Sequence, residues 1–462
     1  MNIINNEHIY SLLERSAKPD SMQIDEIVAE ARLGKGLSLE QVAALINVTS
    51  PTDLEAIYET ASYLKNSIYG KRVVLFAPLY VSNYCTNNCL YCGFRIGNHD
   101  IQRVALTTEQ IQQEVIEILN QGHKRILMLM GEHPKKSSLS HFIDAIETAY
   151  ATRNSKGSNI RRINVEIEPL TNEEFQTIKD VPIGTYTVFQ ETYHKPTYEK
   201  VHLAGKKMDY NWRLEVMHRA LANGLHDVGI GALFGLYDYR YEVLGLLSHA
   251  ISLENEFGVG PHTISIPRLQ YAQNAPYSEG TKYMVSDADF KKLVAVLRLA
   301  VPYTGMILST RESATMRMDL LNIGISQISS GSRTNPGGYK QAFTEQADGS
   351  QFSMNDGRSS GEVIGSLIDS GFIPSFCTSC YRVGRVGAKF MQIAKPGDIK
   401  TFCQPNALLT LKEYVDDYCN EDLQHKYNAM LQNELEALPA QEQKIATKLF
   451  DRIKAGERDL YL

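Results

Sequence analysis

The stretch CTNNCLYCGF, residues 85–94, sets Cys85, Cys89 and Cys92 in the spacing C-x3-C-x2-C. Iron–sulfur clusters normally take four thiolates. Three on one short loop leave an iron open, able to bind a substrate or cofactor directly. Structural zinc is more often built from two C-x2-C pairs, and none is completed here. A second trio, Cys377, Cys380 and Cys403, reads C-x2-C-x22-C. It too lacks a nearby fourth thiolate and the repeated pair of a zinc ribbon, so it reads as a second iron–sulfur cluster with an open site. Cys419 stands apart in a helical pattern and reads as a bystander thiol. Two tight groups in a long chain do not resemble the evenly scattered cysteines of a disulfide framework.

Those residues need a frame. From residue 73 onward, apolar strand-like runs alternate with helix-period segments. The strands are expected at 73–82, 125–132, 163–170, 185–192, 227–236, 262–269, 305–312 and 325–332. They are near-continuously apolar, which suits a parallel sheet covered on both faces. Eight βα units imply a closed (βα)8 barrel of the TIM type, an α/β fold. Segments 38–48 and 52–70 have helix periodicity, with Ser38 and Thr52 as expected N-caps and Gly70 as a stop. The expected organisation is an N-terminal helical segment (1–70), the barrel (71–332) and a C-terminal extension carrying the second trio (333–462). Residues 333–358 form a long Gly- and Asn-containing connection, of a length uncommon without a purpose.

The chain has 462 residues, with 43% hydrophobic and 22% charged side chains, an ordinary balance for a globular protein. A net charge of -6 gives no reason to expect nucleic acid or an anionic membrane as partner. No apolar run reaches the length of a membrane span, and the N-terminus lacks the apolar core of a signal peptide. A cytoplasmic protein is expected.

Barrel enzymes carry their chemistry at the C-terminal ends of the strands. There the sequence places Gly131 and Glu132 (MGEHP), Glu168, Gln190 and Glu191 (FQET), Arg311 and, on strand eight, Ser329. Arg311 is the best candidate to hold a substrate carboxylate, because a guanidinium can grip it with two parallel bonds; Ser329 could assist. The competing reading of Arg311 is a salt bridge to Glu312. His262 lies at the opposite edge, the N-terminal end of strand six. At about 3.3 Å per residue, strand six spans roughly 25 Å, which puts His262 far from the first trio. The long connection after strand eight could return the second trio to that end, and an imidazole suits ferrous iron.

The first trio, directly after the first strand, resembles the radical S-adenosylmethionine (SAM) enzymes. That resemblance implies a 4Fe-4S cluster whose open iron is chelated by the amino and carboxylate groups of SAM. It implies that Tyr91 lies by the adenine, that Gly131 and Glu132 receive the SAM amino group, and that Gln190 and Glu191 make ribose and amino-acid contacts. The block from about Ala61 to Gly93, with QETYH, STRESATMR and ISQISSGSRTNPGGY, is more narrowly similar to the aromatic amino acid lyases. The likeness runs from about residue 40 to 420, and the C-x2-C-x22-C tail is the mark of the tyrosine lyases that mature FeFe-hydrogenase. The expected activity is therefore cleavage of the Cα–Cβ bond of L-tyrosine by a 5'-deoxyadenosyl radical, giving p-cresol and dehydroglycine. Dehydroglycine is then expected to become carbon monoxide and cyanide on an auxiliary 4Fe-4S-type cluster with an extra labile iron held by His262, building an iron carbonyl cyanide unit for the hydrogenase H-cluster. The partners implied are a reductant such as ferredoxin or flavodoxin and other hydrogenase maturation proteins. Two alternatives stand beside this one. The first is a thiamine-type tyrosine lyase, or 2-iminoacetate synthase, with a structural second cluster; the second is a non-catalytic iron–sulfur scaffold.

Overall fold

The run RVVLFAPLYVS is buried at every position and forms β1, Arg72–Ser82, as a strand covered on both faces must. The computed structural model describes residues 3–341 and 349–462. Among them, β1 is followed by β2 (Arg125–Met130), β3 (Arg162–Glu166), β4 (Tyr186–Thr187), β5 (Val228–Gly231), β6 (Thr263–Ser265), β7 (Gly305–Leu308), β8 (Gln327–Ser329) and β9 (Ile373–Ser375). All pairings between them are parallel, and β1 pairs with both β2 and β8, which closes β1–β8 into a barrel. Following the paired residues once round the barrel leads from Tyr80 to Arg72, a displacement of eight residues. That is the shear of a TIM barrel.

Helices between the strands start at side-chain caps: Thr107, Ser138, Thr171, Ser286, Ser313 and Ser359 each accept from a backbone N–H of the first turn. Such caps satisfy donors that a helix start leaves free.

Four features differ from the sequence expectation. Several strands are shorter; β4 keeps two residues of the expected eight, although Val188 N–H and Gln190 N–H still donate to the Gly229 and Gly231 carbonyls of β5. The helix expected at 211–223 is two, Tyr210–Leu214 and Val216–Ala222, divided at Glu215. The helix expected to be capped by Thr52 is capped by Ser50, with Pro51 in its first turn, where proline's missing N–H costs nothing. The ninth strand was not expected. β9 pairs with Arg72–Val74 at the base of β1, and Val74 is paired with Gln327 on one edge and Ser375 on the other. β9 therefore delivers the chain, and Cys377 behind it, to the N-terminal end of the barrel. The helix Ile399–Tyr418, which carries Cys403, packs against β9 and against the helix Pro51–Tyr69. Of the long connection at 333–358, residues 342–348 lie outside the described residues.

Candidate active site

Cys85, Cys89 and Cys92 lie on the loop that leaves the C-terminal end of β1. The loop is tied on several sides by its backbone. Thr86 N–H donates to the Glu132 carbonyl at 2.8 Å, Leu90 N–H to Val201 at 2.9 Å and Gly93 N–H to Gln351 at 2.9 Å. Gly131 packs directly beneath: a Cβ there would lie 2.3 Å from the Tyr84 carbonyl oxygen and 3.1 Å from the Cβ of Cys85. Burial raises all three thiols, Cys85 to about 11 with help from the Glu132 charge. The charge of Lys207 opposes that rise at Cys89.

Around this loop the strand-end residues form one charged network. Arg213 Nη1 is 3.3 Å from Glu132 and Arg213 Nη2 3.8 Å from Glu191, while Lys207 Nζ donates to Glu191 at 2.6 Å. Burial alone would raise Glu191, but Lys207 and Arg213 hold it below the usual carboxylate range. Its backbone takes a φ of 69°, a left-handed conformation rare for a side chain other than glycine. Glu168 is half-buried, and burial together with Glu132 pushes it up to about 7. Tyr91 is buried, its hydroxyl 2.8 Å from His202 Nε2. Gln190 is 2% exposed, and among the described residues neither polar atom of its side-chain amide has a partner. A buried orphan amide is costly, and it fits a residue whose partner is a bound ligand. Three thiols, a cation beside them and an orphan amide suit an anionic cluster carrying SAM.

Below the loop, a cavity inside the barrel is lined by Tyr80, Leu129, Glu166, Arg311, Ser329, Gln351 and Phe352 among others. Arg311 has no ion pair with Glu312, which is instead bound by Arg268. Its guanidinium lies 3.3 Å from the centre of the Phe352 ring, a cation laid on an aromatic face, and faces the cavity. Ser329 is buried beside it.

A second cavity lies at the other end. It brings together Cys377, Cys380, Cys403 and His262 with Arg72, Arg125, Gln327, Tyr381 and Phe390. A hydrogen bond from Cys380 and the guanidiniums of Arg72, Arg385 and Arg125 hold the Cys403 thiol below its ordinary range. His262 Nδ1 is 3.4 Å from Asp227 Oδ1, and Nε2 is 3.3 Å from the Tyr381 hydroxyl. A carboxylate behind one imidazole nitrogen fixes the orientation of the ring, the usual support of a metal-ligating histidine. Among the described residues no three His, Cys, Asp or Glu side chains close on a point that would hold a single metal ion. Three thiols around a cavity ringed by arginines suit a larger anionic cluster.

The two cavities approach each other along the barrel axis. Val74, Arg125, Gly305 and Gln327 line the lower one; Phe76, Leu127, Ile307 and Ser329, each two residues further on, line the upper. These are consecutive inward-facing positions, roughly 7 Å apart along a strand, so the two cavities are lined by adjoining layers. Much of that interior is small and polar. A Cβ on Gly229 would meet Thr263 Oγ1 at 2.5 Å and Thr187 Oγ1 at 2.6 Å, and Thr263 Oγ1 is buried with no partner. Barrel interiors are usually filled by Val, Ile and Leu.

Lys207, Arg213, Glu166, Asp227, Arg72 and Arg125 were not singled out in the sequence. Glu166 and Arg125 carried one available signal, a charge within an apolar strand run. Lys207 and Arg213 carried none, since they come from a loop and a short helix.

A barrel with a three-cysteine loop after its first strand defines a radical SAM enzyme. The sequence pattern of the Radical SAM superfamily matches residues 79–246, and that of the Biotin and Thiamin Synthesis associated domain matches 265–373. A crystal structure of HydG, a maturase of the FeFe-hydrogenase, is 47% identical, with a TM-score of 0.96 over 100% of both chains. HydG from Carboxydothermus hydrogenoformans is 39% identical, with a TM-score of 0.84 over 96% of this chain and 97% of its own. The 2-iminoacetate synthase of Salmonella typhimurium is 33% identical over 342 residues, 73% of this chain and 86% of that protein. The chain belongs to the family of radical SAM lyases that includes the HydG maturases and the 2-iminoacetate synthases.

Proposed function

We propose that the protein cleaves the Cα–Cβ bond of L-tyrosine to p-cresol and dehydroglycine in the upper cavity. Dehydroglycine is converted at the lower cavity to carbon monoxide and cyanide, delivered on iron for maturation of an FeFe-hydrogenase. The observation that carries this reading is the pair of cysteine-lined sites at opposite ends of one barrel interior. A lyase that stopped at dehydroglycine would need only the upper one.

Cys85, Cys89 and Cys92 would hold the SAM cluster, with Gln190, Glu191, Glu132, Glu168, Gly131 and Tyr91 around the bound SAM. Once bound, that pair supplies a primary carbon radical able to take a hydrogen atom from the substrate's amino group. Arg311 grips the substrate carboxylate with two parallel hydrogen bonds, and Ser329 adds a third. Phe352 fixes the guanidinium plane. The polar interior around Thr187, Thr263 and Ser265 lets a small intermediate pass downward without entering solvent. Cys377, Cys380 and Cys403 would hold the auxiliary cluster, and His262, oriented by Asp227, would hold the extra iron that leaves as product. A single protein ligand suits an iron meant to depart. The lower-potential partner is a ferredoxin- or flavodoxin-like reductant, and the setting is the cytoplasm; among the described residues no helix is long and apolar enough to cross a membrane.

The test is an anaerobic reaction with L-tyrosine, SAM and a reductant. The reading requires both p-cresol and carbon monoxide. Release of p-cresol with no carbon monoxide would leave the 2-iminoacetate synthase activity instead.

A further inference from the structure

Glu166 ends β3 and lines the upper cavity. It is the one carboxylate among that cavity's lining residues, and no hydrogen bond or ion pair reaches it among the described residues. Leu127, Leu129 and Phe189 line the cavity with it, and its partners in the ladder are Leu129 and Thr187. Burial, reinforced by the charge of Glu191, pushes it up to about 7. A carboxyl group withdrawn from water without a hydrogen-bond partner is costly, so a donor supplied by a ligand would be strongly favoured there.

The position of Glu166 says which donor. β3 and β7 are four strands apart in an eight-stranded barrel, so Glu166 and Arg311 face each other across the cavity. A ligand whose carboxylate is held by Arg311 and Ser329 points its other end at β3. In register, Glu166 pairs with Leu129 and Leu129 with Tyr80, below the cysteine loop that begins after Ser82. The substrate's amino group must face the radical source above, which leaves the far end of the side chain to meet Glu166.

We propose that Glu166 accepts a hydrogen bond from the phenolic hydroxyl of the substrate and sets the preference for L-tyrosine over L-phenylalanine. The proposal rests on the tyrosine-cleaving reading above. Phenylalanine would enclose the carboxyl group with no partner, and a site built around a substrate hydroxyl rejects the analogue lacking it far better than an apolar pocket rejects an added group.

The test is equilibrium binding of L-tyrosine and L-phenylalanine by anaerobic calorimetry. The protein carries both clusters and SAM, and no reductant is present, so nothing turns over. The wild-type chain should prefer tyrosine. Glu166→Leu should weaken tyrosine binding by roughly ten- to a hundred-fold, as expected for a hydrogen bond to a charged group, and should not weaken phenylalanine binding. Glu166→Gln, whose amide oxygen still accepts, should fall between; being nearly isosteric, it decides the matter should the leucine variant fail to fold. An unchanged tyrosine-to-phenylalanine ratio would overturn the proposal. So would an equal loss for both amino acids, which would put the ammonium group on Glu166. If the wild-type chain binds no tyrosine, the functional reading itself fails and the proposal falls with it.

Discussion

Among the described residues Arg311 has no ion pair, and its guanidinium lies on Phe352 facing the cavity, which favours the proposed binding role over a structural one. The acid beside it in sequence, Glu312, is taken by Arg268. Loss of a charge-assisted bidentate bond costs about 1.5–3 kcal/mol. Arg311→Ala should therefore raise the KM for tyrosine by one to two orders of magnitude while leaving SAM affinity unchanged in a binding titration. An unaltered KM would remove Arg311 from the substrate site. His262 makes the opposite kind of claim. His262→Ala should retain p-cresol release and the iron of both clusters, yet lose the extra iron measured by metal analysis and the iron carbonyl bands in the infrared. At this scale the cysteines, Arg311 and His262 were legible because their types are unusual for where they fall: thiols in threes, a cation at a strand end, an imidazole at a strand start. Lys207 and Arg213 were not, since a charge in a loop or helix reads as solvated until the fold turns it inward.

The elements explain how loop and strand hold those groups. Gly131 ends β2 against the backbone of Tyr84, and an added Cβ at 2.3 Å from a carbonyl oxygen cannot be relieved by turning a side chain. Overpacking of this kind costs typically 1–3 kcal/mol. Gly131→Ala should displace the first cysteine loop, so that reconstituted protein loses iron at that site and stops releasing p-cresol, while the auxiliary site keeps its iron. Equal cluster content and SAM cleavage in the variant would show that the loop tolerates the shift. The eight barrel strands were legible because each is a near-continuous apolar run separated by helix-period segments. Their lengths were not, since the apolar runs continue into buried strand ends where regular pairing thins to single bridges, as at Glu191 and Ala232. β9 was hidden for a different reason. At three residues, IPS offers too short a pattern to separate from a loop, and its partner at the base of β1 is some three hundred residues away in sequence, across the entire barrel.

For the whole molecule, the decisive arrangement is two cysteine sites joined by one interior. β1 has eleven residues, roughly 33 Å at the usual rise per residue. Its far end feeds the first trio, while Arg72 at its near end lines the second cavity. Closing that lower end takes segments from both ends of the chain. The helix Pro51–Tyr69 packs on Ile399–Tyr418, and Lys71 pairs with Glu434 at 2.5 Å. On the proposed function, the upper site needs nothing from the lower one to bind and cleave its substrate, whereas the lower site depends on what the upper one sends. Anaerobic turnover of the double variant Cys377→Ala/Cys380→Ala, scored for p-cresol and for carbon monoxide, tests this division most directly. The account predicts p-cresol at a rate within a few-fold of wild type, with carbon monoxide lost. Loss of p-cresol together with carbon monoxide, in a variant that still folds and still holds its first cluster, would contradict it.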